Sequence, residues 1–127
     1  MALPIKNDKI LIIDDEPLNI MALSAVLKSR GYLTVVANSA KEGLDKLTKD
    51  NTIKMVLMDM MMPDIDGYEA THLIRKNELI SQIPIIAVTA QAMSHDKDKC
   101  LAAGVDDYIS KPIDIDALTS IIIKHIQ

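Results

Sequence analysis

Asp14 and Asp15 close the apolar run Ile10-Leu11-Ile12-Ile13, and Asp59 closes a second run that begins at Met55. Two later apolar runs end on Thr89 and, past Tyr108, on Lys111-Pro112. If these runs are parallel strands of one sheet, their C-terminal ends gather three carboxylates, a hydroxyl and an ammonium on one rim, the edge at which open α/β sheets bind ligands. Clustered carboxylates repel one another unless a cation sits among them, so the pattern implies a divalent metal or a reaction that handles charge. A few hard oxygen ligands with room left for water suit Mg²⁺. A carboxylate such as Asp59 can attack phosphorus, provided that a metal and an ammonium such as Lys111 neutralise the transferring group. Thr89 could then donate a hydrogen bond to a phosphoryl oxygen and register its presence.

The elements that must hold these residues follow from periodicity. Strand-length apolar runs alternate with segments of helical period, giving βα repeated five times. Lys9 to Asp14 reads as the first strand. Pro17 opens a helix with a buried stripe of Ile20, Leu23 and Leu27, and Gly31 ends it. Leu33 to Ala37 reads as the second strand, and Ser39 with Glu42 forms a capping box for a helix burying Leu44 and Leu47. Lys54 to Asp59 is the third strand. After the turn-rich Pro63-Asp64-Ile65-Asp66-Gly67, a third helix is expected to turn Leu73 and Ile74 inward. Pro84 to Thr89 is the fourth strand, followed by a polar helix over His95 to Ala103 ended by Gly104. A strand over Asp106 to Ile109 and a final helix capped by Asp114 complete the pattern. Right-handed crossovers place helices on both faces of such a sheet and every strand end on one rim.

With 127 residues the chain has the size of one domain with one continuous core. A net charge of -4, and only three aromatics, Tyr32, Tyr68 and Tyr108, leave neither a phosphate-tracking stripe nor a base-stacking platform, so no direct nucleic-acid contact is expected. Cys100 is the single cysteine, which excludes an internal disulfide and a thiolate zinc site and fits a reducing compartment. Neither a signal peptide nor a membrane span is visible, and a cytoplasmic protein is expected.

Each of these residues has a plainer role open to it. Asp14 could be a helix cap, Thr89 a β-branched strand residue, Lys111 a solvated lysine and Tyr108 a half-buried packing residue. His72, His95 and His125 are dispersed and read as surface residues. Met58 and Met60 share one side of the pleat and read as core, as does Cys100. In the last helix Ile121-Ile122-Ile123 cannot all be buried by one stripe. Taking Ile115, Leu118 and Ile122 as that stripe leaves Ile123 exposed.

The order and spacing of Asp14-Asp15, Asp59 in Met58-Asp59-Met60-Met61-Met62-Pro63, Asp66-Gly67, Thr89, Tyr108 and Lys111-Pro112 resemble the receiver domains of two-component response regulators over nearly the whole chain. The resemblance implies a flavodoxin-like, doubly wound (βα)5 fold with a five-stranded parallel sheet in the order 2-1-3-4-5. It implies that Asp59 accepts a phosphoryl group from a histidine kinase or phosphotransfer protein. Mg²⁺ would be held directly by Asp15, Asp59 and the backbone carbonyl of Met61, with Asp14 acting mainly through water. Lys111 would pair with the phosphoryl group, and Thr89 and Tyr108 would switch. The face of the fourth helix, fifth strand and fifth helix would then alter its affinity for a downstream protein or a second copy. In such domains the Lys111-Pro112 peptide bond is usually cis. At Met61 many relatives carry a polar side chain able to touch the attacking water. A thioether can only shield it, so slow hydrolysis of the phosphorylated form is expected.

Two readings of other classes remain. One is a receiver-like module that binds partners without phosphorylation, whose usual sign, loss of a rim acid, Thr or Lys, is missing. The other is an Mg²⁺-dependent phosphohydrolase of the haloacid dehalogenase type. That enzyme normally carries a second acid two residues after its nucleophile, where this chain has Met61. The segment from Thr89 to Pro112 looks more like receivers of hybrid kinases and related stand-alone proteins than like those fused to DNA-binding domains.

Overall fold

A computed structural model of the chain describes residues 9–60, 66–89, 94–111 and 113–126, with 94–97 described by backbone alone. The elements are β1 (Lys9–Ile13), α1 (Pro17–Ser29), β2 (Leu33–Ala37), α2 (Ala40–Lys49), β3 (Ile53–Asp59), α3 (Gly67–Lys76), β4 (Ile85–Thr89), α4 (Ser94–Ala103), β5 (Asp107–Ser110) and α5 (Ile115–Ile126). All four strand pairings are parallel, in the order β2-β1-β3-β4-β5. This is the doubly wound, flavodoxin-like arrangement. The strand boundaries match the expected ones to within a residue, which leaves the rim residues at or just past strand ends.

From Ile10 in β1, Met55 in β3 and Ile85 in β4 the strands are buried apolar runs, as suits strands with helices on both faces. The pleat divides their side chains into two cores. Leu11, Ile13, Val56, Met58, Met60, Ile85 and Ala87 point to the face covered by Leu47, Ile74 and Cys100. Ile10, Ile12, Met55, Leu57, Ile86 and Val88 point to the other, against Leu23, Leu27, Leu118 and Ile122. Each fully buried Leu or Ile contributes about 1.5–3 kcal/mol relative to exposure. Met58, Met60 and Cys100 are thus core residues, as their sequence positions suggest.

The helix ends follow local chemistry. Pro17 opens α1, and Ser39 and Asp66 each cap a helix through a backbone N–H three residues on. Asp114 accepts from the Asp116 amide at 3.0 Å. Gly31 and Gly104 take φ values of 91° and 113°. The following residues, Tyr32 and Val105, return hydrogen bonds to Leu27 and Cys100, which closes both helices with Schellman turns.

Three expectations are corrected. Leu73 is 37% exposed and Ile115 39% exposed. The buried stripe of α3 runs through Gly67, Ala70, Thr71 and Ile74, and a 3.6-residue period puts Leu73 to one side of it. Ile115 sits at the first position of α5, beyond the reach of the core that Leu118 and Ile122 enter. His125 is not a plain surface residue. Its side chain is 19% exposed, and its Nε2 lies 3.3 Å from Asp107 Oδ2. Ile123, 55% exposed, is the outward member of its run, as expected.

Candidate functional site

Parallel pairing in register brings the ends of β1, β3, β4 and β5 together. Ile13 lies beside Met58, Asp59 beside Val88, and Thr89 beside Ser110. Asp14 follows the last residue of β1, and Asp59 is the last residue of β3. Carboxylate oxygens of Asp14, Asp15 and Asp59 all lie within 4.8 Å of one another. The group is graded in burial, with Asp14 1% exposed, Asp59 4% and Asp15 on the surface.

The capping and chemical readings of Asp14 divide between its two oxygens. Its Oδ1 accepts the Glu16 amide at 2.8 Å and so shapes the turn into α1. Its Oδ2 is buried without a hydrogen-bond partner among the described residues. A buried carboxylate oxygen left without a donor is costly, and a cation or its coordinated water would satisfy it. The donor set therefore fits a hard divalent ion, with carboxylate ligands converging from two strand ends and an open side at Asp15.

Lys111 faces this group. Its Nζ is 4.0 Å from Asp59 Oδ1, and its side chain is 27% exposed against 5% for Asp59. The backbone supports that placement, since the Lys111 amide donates to the Thr89 carbonyl at 2.8 Å and ties the end of β5 to the end of β4. Thr89 is 5% exposed at the end of β4. Tyr108 is half-buried and packs against the core on the α2, α3 and α4 side. The structure thus gathers Asp14, Asp15, Asp59 and Lys111 and places Thr89 on the adjoining strand end. Met61 and Pro112 lie outside the described residues, so the expected carbonyl ligand and the expected peptide geometry do too.

Sequence reasoning missed two parts of the surroundings. Gly67, read from the sequence only as part of the turn-rich segment and of the Asp66-Gly67 motif, packs against the Asp59-Met60 backbone. The Asp107–His125 contact joins residues 18 apart and left no sequence signal.

This geometry belongs to a known group of proteins. Residues 10–123 match the response regulator receiver domain family. The chain is 42% identical over 109 residues to the sensor histidine kinase RcsC of Salmonella typhi, a match that covers 86% of this chain and 11% of that kinase. It is 34% identical over 116 residues to the signal transduction histidine-protein kinase BarA of Escherichia coli K12, covering 91% of this chain and 12% of the relative. The chain thus spans about a tenth of the length of these kinases. Among solved structures, the receiver domain of sensor histidine kinase PA1611 from Pseudomonas aeruginosa PAO1 superposes with a TM-score of 0.86. It is 34% identical, with 94% of this chain and 97% of that one covered, and it holds a magnesium ion in its active-site cleft. A rim of strand-end acids facing a lysine, in a sheet ordered 2-1-3-4-5 and matched along most of its length, makes the chain a member of the response regulator receiver domain family of two-component phosphorelay proteins.

Proposed function

We propose that the protein is a phosphorylation switch in which Asp59 accepts a phosphoryl group from the phosphohistidine of a histidine kinase or phosphotransfer protein. The observation that carries this reading is the buried Asp59 carboxylate, clustered with Asp14 and Asp15 and facing the Lys111 ammonium at 4.0 Å. An Asp59 oxygen bonds to phosphorus as the donor's P–N bond breaks, and the imidazole leaves with a proton. Asp15, Asp59 and the Met61 carbonyl would hold Mg²⁺, with Asp14 acting through water. Bound there, the ion would neutralise charge on the transferring group. Lys111 pairs with the phosphoryl oxygens. Thr89 reads the group by a hydrogen bond and Tyr108 repacks in response, biasing the face formed by α4, β5 and α5. The protein's own chemistry is confined to gaining and losing this group, as suits a regulatory domain rather than an enzyme acting on an external substrate.

Two surfaces support the partner assignments. On α1, Leu18 and Met21 are 74% and 67% exposed. The same helix contributes to a groove of about 300 Å³ lined by Ala22, Leu23, Val26, Lys111, Ile113 and Ile115. An apolar surface reaching Lys111 suits a protein that must present phosphohistidine to the rim. On the output face, Leu101 and Ile123 are 41% and 55% exposed, suiting a downstream protein or a weak homodimer. One sheet with a continuous core on each face supports a single receiver domain over residues 1–127. The buried free thiol of Cys100 agrees with a cytoplasmic location. Among the described residues, no helix is long and apolar enough to cross a membrane.

The test is incubation with a small phosphodonor such as acetyl phosphate, with and without Mg²⁺, followed by intact-mass measurement. One phosphate adduct that requires Mg²⁺ supports the reading. No adduct in either condition favours a module that binds partners without phosphorylation.

A further inference from the structure

We infer that Gly67 is a positioning residue for the phosphoacceptor, acting as the floor of a backbone clamp on Asp59 and Met60; this rests on the phosphoacceptor reading of Asp59. Gly67 is the first residue of α3 and is buried. A Cβ at this position would lie 2.6 Å from Met60 Cα, 2.6 Å from Met60 Sδ and 2.7 Å from the Asp59 carbonyl oxygen. Two of these atoms are backbone and cannot swing aside. Gly67 does not share the positive φ of Gly31 and Gly104, so what it provides is space rather than an unusual dihedral.

The clamp has two jaws. The Met60 amide donates to the Val88 carbonyl of β4 at 3.2 Å, and the Met60 carbonyl accepts the Gly67 amide at 3.3 Å. Met60 is thereby fixed between the neighbouring strand and the start of α3, directly after the acceptor. The helix start is itself tied down. Asp66 accepts the Glu69 amide at 3.0 Å, and Thr71 Oγ1 donates to the Gly67 carbonyl at 2.7 Å. An added methyl must therefore move the Asp59-Met60 peptide, the helix start or both. Movement of that peptide turns the Asp59 carboxylate relative to Asp14 and Asp15. Mg²⁺ tolerates such turning poorly, because it demands near-octahedral ligands at about 2.0–2.1 Å.

The experiment compares wild type, Gly67→Ala, Asp66→Ala and Ile74→Val. Mg²⁺ affinity is read by NMR titration, and hydrogen exchange of the Met60 amide is read without the ion, each at a temperature where the variant is fully folded. Gly67→Ala is expected to weaken Mg²⁺ binding by about tenfold or more, the scale seen when groups that orient metal ligands are altered. It should also speed Met60 amide exchange. Ile74→Val, which thins the α3 core without touching the clamp, is expected to lose stability with Mg²⁺ affinity unchanged. Gly67→Ala binding Mg²⁺ within about twofold of wild type, or Ile74→Val losing as much affinity, overturns the inference. If Gly67→Ala does not fold, Asp66→Ala decides, since it loosens the helix start without adding bulk. Several-fold weaker Mg²⁺ binding supports the clamp, and wild-type affinity overturns it. A wild type that binds no Mg²⁺ overturns the parent reading and the inference with it, an outcome distinct from a defect confined to the variants.

Discussion

Asp14, Asp15 and Asp59 are the same residue type in one cluster, yet their surroundings give them different work. Asp14 spends one oxygen on the Glu16 amide and keeps the other buried, so it is fixed in place. Asp59 is buried and faces Lys111, which suits a nucleophile whose charge must be balanced locally. Asp15 is exposed and free to meet an ion arriving from solvent. Asp15→Asn is therefore expected to weaken Mg²⁺ binding by about tenfold or more while leaving the unfolding midpoint nearly unchanged, because it removes a charged ligand and no packing. Calorimetric titration with Mg²⁺ beside a urea melt checks both halves. Unchanged affinity would remove Asp15 from the ligand set. These acids were legible in the sequence because each follows an apolar run, and a strand end is where such a residue reaches the rim. The space that Gly67 provides was not legible, since a close approach between residues 60 and 67 depends on how the loop between them returns.

Among the elements, α3 shows what periodicity could and could not supply. Its existence and its inward Ile74 were readable, whereas its Asp66 cap was read only as part of a turn, and Leu73 was placed on the wrong side because the stripe is set by the sheet beneath it. Its last turn carries Arg75, which was not singled out by any pattern. Arg75 Nε donates to the Gly104 carbonyl at 2.9 Å, and Nη1 donates to the carbonyls of Ser81 and Ile83 at 2.9 and 2.7 Å. Nη2 lies 2.8 Å from Asp106 Oδ2, which also accepts the Ile85 amide at 2.8 Å. One side chain thus joins the end of α3, the entry to β4 and the turn between α4 and β5, at the end of the sheet opposite the acids. Arg75→Ala removes the side-chain donor from three carbonyls and one of two donors from the Asp106 carboxylate, and is expected to cost about 2–4 kcal/mol of stability, measured by urea unfolding. A loss below about 0.5 kcal/mol would mean that water replaces the strut at no cost.

For the whole molecule, the alternation of strands and helices announced an α/β fold. The strand order was not contained in spacing, because right-handed crossovers allow several orders, and it rested on resemblance to a family. Long-range ion pairs were equally hidden. Lys9 Nζ at the start of β1 bonds Asp50 Oδ2 at 2.8 Å, across 41 residues. That hydrogen bond first, then those from the Thr52 hydroxyl and amide, lowers the Asp50 carboxyl from its ordinary 3.8 to about 2. A folded value below the unfolded one means that the unfolded chain binds more protons between the two. Asp50 therefore contributes stability that is fully present above about pH 4 and is lost as pH falls toward about 2. Urea unfolding across that window should give a steeper acid loss for wild type than for Asp50→Asn, and equal slopes would contradict the linkage. The central claim, that the rim is a phosphoacceptor built on Asp59, is tested most directly by the intact mass of wild type and Asp59→Asn after exposure to acetyl phosphate and Mg²⁺. The account predicts a single phosphate adduct on the wild type and none on the variant; equal adducts on both would contradict it.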